Sequence, residues 1–156
     1  YLEESERLRL AGKLKNGLKD GTWSGKDNDY RLTFTENNEN GVLISGISKV
    51  ENEIEHNYSQ IFTNPYPKKG MKHFYKFVGN KFNLNFKADE TVKIVLTFIV
   101  DKNGRIENIK ILKGVHPIAD QEAIRVLNLY SDWLPGKYRG IEASVSYTLP
   151  IVILKN

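Results

Sequence analysis

The stretch that decides the fold is TVKIVLTFIVDKNGRIENIKILK, residues 91–113. Alternate positions at its start place five apolar residues on one face: Val92, Ile94, Leu96, Phe98 and Val100. The opposite face of residues 91–101 is also largely apolar, which is typical of a strand with a neighbour on either side. DKNG (residues 101–104) supplies a tight turn with glycine for the positive-φ position, so residues 105–113 are predicted to return antiparallel.

A helix and a third strand are predicted to follow this hairpin. Pro117 suits a first helical turn, where its missing N–H costs nothing, and the apolar spacing extends the helix over residues 118–130. SDWLPG (residues 131–136) ends the helix, and residues 140–154 are predicted as the last strand. An apolar stripe with i, i+3, i+4, i+7 spacing predicts a further short helix over residues 71–82, before the hairpin.

The order helix, strand, strand, helix, strand predicts an α+β domain with a three-stranded antiparallel sheet. A right-handed helical crossover carries the third strand to the far side of the first, which gives the order 2-1-3. Pro150 supports this order, because proline cannot donate to a ladder and belongs on an edge strand.

The first part of the chain has a different pattern. Residues 11–61 contain short β-prone runs separated by Asn-Gly and Asp-Gly signals, which predict a meander of β-hairpins with Trp23 in its core. KNGLKDGTW and ENGVLISGIS resemble a degenerate pair of MORN-type repeats, although ordinary hairpin turns explain their glycines equally well. The charged residues 1–10 are predicted to be a solvated terminus rather than a helical lead-in.

NPYPKKG, residues 64–70, predicts a linker, because its two prolines favour extended backbone and a glycine follows them. We therefore divide the chain into a hairpin region, residues 1–64, and a second domain, residues 65–156.

Composition excludes several classes of function. The 156 residues contain no cysteine, and the net charge of +4 arises from scattered Lys and Arg, so a thiolate site and a nucleic-acid arm are not expected. The three histidines lie far apart, and Asp27-Asn28-Asp29 lacks the residues that complete a calcium loop. We predict no catalytic residue, no metal ligand and no cofactor. Because the sequence opens at Tyr1, an export signal or membrane anchor is expected upstream.

The second domain resembles the C-terminal domain of the TonB family. The resemblance covers residues 65–156 and rests on the strand ending in Val-Asp before an Asn-Gly turn, on Lys113-Gly114, on Glu122-Ala123-Ile124, on WLPG (residues 133–136) and on the closing YTLPI (residues 147–151). It implies a periplasmic energy transducer, anchored in the inner membrane outside this chain, that binds the TonB-box peptide of an outer-membrane receptor. The alternative is a sensor or scaffold ectodomain that uses the same fold for another envelope protein, and the hairpin region favours it.

The peptide is expected to add a strand to the outer edge of the third strand. The predicted binding residues are Glu142, Ala143, Ser144, Val145, Ser146, Tyr147 and Thr148. A free sheet edge also permits pairing between two copies of the chain into a homodimer.

Overall fold

A computed structural model describes residues 2–83 and 91–153. In chain order the elements are β1 (Leu2–Glu4), β2 (Leu8–Lys15), β3 (Leu18–Asp27), β4 (Leu32–Glu39), β5 (Val42–Val50), β6 (Glu55–Tyr58), β7 (Phe62–Thr63), β8 (Tyr66–Pro67), α1 (Met71–Lys81), β9 (Val92–Val100), β10 (Ile106–Lys113), α2 (Pro117–Leu129), β11 (Trp133–Leu134), β12 (Lys137–Tyr138), β13 (Ile141–Glu142) and β14 (Val145–Ile153). The α+β class with an N-terminal β-meander is confirmed. The described residues form two compact units, which we call unit 1 (residues up to 63, with 137–141) and unit 2 (the rest).

Unit 1 contains a six-stranded antiparallel sheet in which β1 to β6 follow one another in chain order. Asn16 and Gly17 both have positive φ between β2 and β3, and Asn40 and Gly41 do so between β4 and β5, as tight hairpins require. Residues 1–10 were predicted to be a solvated terminus; most of those described are exposed, but β1 and the start of β2 lie among them. Leu10 is only 2% exposed, because β1 and β2 pair with each other and bring it into the core.

Three glycines of this sheet lie directly beneath aromatic rings. A Cβ atom added at Gly12, Gly25 or Gly46 would lie 2.2–2.3 Å from the ring of Trp23, Phe34 or Tyr58 respectively. Gly17 and Gly21 have positive φ, whereas Gly12 and Gly25 serve this close packing instead. Trp23 is fully buried, which confirms its place in the core.

Unit 1 also contains residues from late in the chain. β12 pairs antiparallel with β7, and the turn after β12 has positive φ at Arg139 and Gly140. Residues 140–144 were predicted to begin the last strand, and this is wrong: the turn reverses the chain, and β14 begins only at Val145. β14 is described as far as Ile153, and the predicted final residue, Leu154, lies outside the described residues.

Unit 2 contains a three-stranded antiparallel sheet with β9 between β10 and β14. Alternate residues of β9 and β14 pack with both helices into one core, formed by Phe74, Val78, Ile94, Leu96, Phe98, Val100, Ala119, Ala123, Val126, Leu127, Tyr130, Trp133, Leu149, Ile151 and Ile153. The ring of Phe98 lies 5.3 Å from that of Trp133, and the ring of Phe74 lies 5.4 Å from it. Trp133 therefore closes the core where α2 ends.

Local side chains set the ends of the predicted turn and helix. At the turn after β9, the carboxylate of Asp101 accepts hydrogen bonds from the backbone N–H groups of Asn103 (2.8 Å) and Arg105 (2.9 Å). His116 caps α2, since its Nδ1 accepts a hydrogen bond from the backbone N–H of Ile118 at 3.2 Å, and Pro117 occupies the first turn. The turn after β9 and the start of α2 therefore lie where DKNG and Pro117 predicted them.

The segment predicted as a linker is held within unit 2. β8 pairs with β11, so that Pro67 lies opposite Trp133, and the backbone N–H of Lys68 donates to the carbonyl oxygen of Asp132 at 2.7 Å. Its two prolines are buried. A division of the chain into domains at residue 64 remains a prediction.

Candidate functional site

The outer side of β14 is an unpaired sheet edge among the described residues. Along the strand, burial alternates: Val145 and Leu149 face the core, whereas Ser146 and Thr148 are exposed. The register with β9 is continuous over the nine residues of β14, from Val145 opposite Val100 to Ile153 opposite Val92. A long, regular edge of this kind is a template for another strand.

Two side-chain contacts show which backbone groups of β14 point outward. Thr97, on the neighbouring strand β9, donates through its hydroxyl to the carbonyl oxygen of Tyr147 at 3.3 Å, so Tyr147 directs its backbone groups towards β9. Tyr75 of α1 donates to the carbonyl oxygen of Pro150 at 3.4 Å, from the other side. Because successive residues of a strand point their backbone groups to opposite sides, those of Ser146 and Thr148 point outward.

Pro150 belongs to the same outward set. Its missing N–H therefore costs no hydrogen bond to β9, which explains how a proline is tolerated within a regular strand. It also leaves the outer edge without a donor at this position. The outward groups of Ser146 and Thr148 are therefore separated by Pro150 from those of Val152.

The opposite edge of the same sheet, on β10, is less suited to pairing. Its register with β9 shifts between Glu107 and Lys110 and again between Ile111 and Lys113. Asn108 adopts a positive φ of 51° within the first irregularity. Bulges of this kind interrupt the row of donors and acceptors that an added strand needs, so the edge of β14 is the better candidate.

The structure separates the seven residues predicted for the edge. Glu142 ends β13, and the backbone N–H of Ala143 donates to the carbonyl oxygen of Gly136 at 3.1 Å. Ser144 lies between strands, and the remaining four residues, Val145 to Thr148, begin β14. The structure thus brings together the last four. Sequence reasoning missed Tyr75, whose position beside the edge has no local signal.

A second cluster of functional groups lies inside unit 1. Arg139 is 4% exposed and Glu36 1% in their side chains, and the Arg139 Nε atom lies 2.8 Å from Glu36 Oε1. Tyr58 donates to the same carboxylate oxygen at 2.9 Å. The guanidinium also lies 3.9 Å from the centre of the Phe34 ring.

The network continues from Arg139 through Tyr138 to a second buried carboxylate. Arg139 donates to the hydroxyl oxygen of Tyr138, and that hydroxyl donates to Asp27 Oδ2 at 2.9 Å. Arg7 Nε lies 3.2 Å from the same oxygen of Asp27. Asp27 therefore lies at the end of a side-chain network and does not belong to a calcium loop.

Burial raises the pKa of Tyr58, and the neighbouring Glu36 raises it further. Burial likewise raises the pKa of Tyr138, although Arg139 opposes this shift. Both phenols therefore stay protonated and act as donors at neutral pH. With each carboxylate paired to an arginine and a tyrosine, the cluster has the character of a structural clamp on residues 137–141.

Residues 87–152 match the family model described as the Gram-negative bacterial TonB protein C-terminal domain. Over this segment the chain is similar to the TonB C-terminal family. The match covers β9, β10, α2 and all of β14 except its last residue, and so includes the candidate edge. No curated protein and no solved structure matches the chain.

The TonB C-terminal family is one of energy-transducing, protein-interaction domains. A domain of this family implies a periplasmic, envelope-associated protein, and such domains generally interact with outer-membrane receptors. Among residues 2–83 and 91–153, no group of three or more His, Asp or Glu side chains is placed to hold a metal ion. Neither helix in this described part is long and apolar enough to span a bilayer.

Proposed function

We propose that this chain is the periplasmic, peptide-binding part of a TonB-type energy transducer, and that β14 pairs with the TonB-box peptide of an outer-membrane receptor. The observation that carries the proposal is the regular outer edge of β14. This edge lies almost wholly within the residues that match the TonB C-terminal family model. We also propose a binding rather than a catalytic role, and attachment to the inner membrane through a segment outside this chain.

The outward backbone groups suggest a weak, reversible complex. Ser146 and Thr148 each offer one donor and one acceptor, and each hydrogen bond contributes about 0.5–1.5 kcal/mol. Association costs at least about 4 kcal/mol in lost freedom, so side-chain contacts must supply the remainder. An affinity in the micromolar range or weaker suits a coupling that is made and released repeatedly.

Ser146→Pro is expected to weaken peptide binding at least about tenfold, because it removes an outward donor and places a ring where the added strand would lie. The inward ladder to β9 is untouched, so the domain should remain folded. The measurement is a titration with a synthetic TonB-box peptide, followed by backbone amide chemical shifts of the whole chain.

Ser146→Ala is the matched control, since it alters the same side chain and keeps the N–H; its affinity should stay within about twofold of the parent protein. Shifts should appear in β14 and in its neighbour β9. If shifts were confined to α2 while residues 144–149 stayed unchanged, the edge would not be the binding site.

A sensor or scaffold ectodomain is the second candidate, and the six-stranded sheet of unit 1 favours it. In that case β14 pairs with a segment of another envelope protein, and receptor peptides bind no better than a scrambled peptide. Cross-linking in intact cells from a photoreactive residue at position 148 distinguishes the two: an outer-membrane receptor supports energy transduction, and another partner supports the scaffold.

A further inference from the structure

A side chain of α1, that of Tyr75, lies beside the edge of β14. Tyr75, on α1, is 42% exposed, although its ring packs 5.5 Å from that of the fully buried Phe74. Its hydroxyl reaches the outer side of β14 at Pro150, over a separation of 75 residues in the chain. Tyr147 lies on the helix side of β14, half-buried, with its ring 5.9 Å from that of Phe98.

We propose that Tyr75 is a specificity-determining residue of this edge, with two roles: its ring and that of Tyr147 contact the helix-side side chains of the bound peptide, and its hydroxyl interrupts the usable edge at Pro150. This inference rests on the function proposed above. It adds a residue of α1, which lies outside the residues matched by the family model, to the peptide site.

The first role follows from strand geometry. Side chains of a strand added to β14 alternate between the two faces of the sheet, so every second peptide side chain lies on the face that carries α1. Tyrosine offers an apolar ring with a polar tip, which suits partly exposed contacts. We therefore expect the peptide to carry apolar or aromatic residues at its helix-side positions.

The second role follows from the backbone of β14. Pro150 has no N–H, and its carbonyl oxygen already accepts the Tyr75 hydroxyl. A peptide that pairs at Ser146 and Thr148 thus finds neither a donor nor a free acceptor at Pro150, and it must cross this gap before it reaches the outward groups of Val152. Burial raises the pKa of Tyr75, and the nearby Tyr147 raises it further, which is consistent with the Tyr75 hydroxyl acting as a donor at neutral pH.

Two variants separate the roles. Tyr75→Ala removes the ring, and loss of a tyrosine contact at an interface is expected to weaken binding about fivefold or more. Tyr75→Phe keeps the ring and frees the carbonyl oxygen of Pro150. Because the hydrogen bond it removes is long, at 3.4 Å, we expect a gain of only about two- to threefold, confined to peptides that reach Pro150.

The experiment titrates the parent chain, both variants and Ser146→Pro with a synthetic TonB-box peptide and with versions shortened by two residues at either end. Weaker binding of every peptide by Tyr75→Ala, together with tighter binding of only the longer peptides by Tyr75→Phe, supports the inference. Affinities unchanged in both Tyr75 variants overturn it, and they leave the proposed function intact if Ser146→Pro still weakens binding. Failure of the parent chain to bind any of the peptides overturns both.

Discussion

Arg139→Met is expected to lower the free energy of unfolding of unit 1 by about 3–5 kcal/mol, which is the usual cost of removing one partner from a buried ion pair. Methionine fills part of the space but leaves the carboxylate of Glu36 buried beside Tyr58 alone. It also removes the donor to the Tyr138 hydroxyl. Most of the cost is thus the unpaired buried charge rather than lost packing.

The sequence has two tryptophans, one in each unit, so their indole N–H resonances report unfolding of the units separately in a denaturant titration. Trp23 reports the loss in Arg139→Met. Arg9→Ala is the matched control, because Arg9 pairs with Glu4 at 2.9 Å on the surface, where such a pair contributes about 0–1 kcal/mol. A loss below about 1 kcal/mol in Arg139→Met would show that the cluster is not a clamp.

Phe98→Ala is expected to destabilise unit 2 by about 3–5 kcal/mol, through lost burial and the cavity left behind. Phe98 is 1% exposed at the centre of the sheet, in ring contact with both Trp133 and Tyr147. Denaturant unfolding followed at the Trp133 indole resonance measures the loss.

Val152→Ala provides the comparison, since Val152 lies on the same sheet but is 52% exposed. Its loss should stay near 0.5 kcal/mol, as is usual for surface substitutions. Comparable losses in the two variants would contradict the assignment of the core to the helix side of the sheet.

Short-range patterns in the sequence predicted unit 2 well. The apolar faces of residues 91–101, the turn at Asp101 and the cap before Pro117 each depend on residues within one turn or one strand. The observed ends of α1, β9, β10 and α2 differ from prediction by at most one residue, whereas the short strands β8 and β11 were not predicted.

Long-range pairing was not predictable in this way. Arg139 and Glu36 are 103 residues apart, and neither carries a local signal that it will be buried. Residues 1–10 have a charged composition, and only their pairing with β3 and with each other makes them strands. Tyr75 lies in the apolar stripe that predicted α1, but its contact at Pro150 depends on how the helix packs. The edge at Ser146 could be proposed from topology, whereas the outward direction of its backbone required the contacts of Thr97 and Tyr75.

Because residues 137–141 belong to unit 1, they limit how the chain can be divided into fragments. The boundary between the units is crossed at residues 63/64, 136/137 and 141/142, so no single cut releases either one whole. A fragment beginning at residue 65 keeps Tyr138 and Arg139 but loses Asp27 and Glu36, their acidic partners. The complementary fragment retains Glu36 without its countercharge, Arg139, and Asp27 without the Tyr138 hydroxyl, although Arg7 stays beside Asp27. A chimaera that contains the first half should therefore also include residues 137–141. A chimaera that contains the second half needs other residues in place of 137–141.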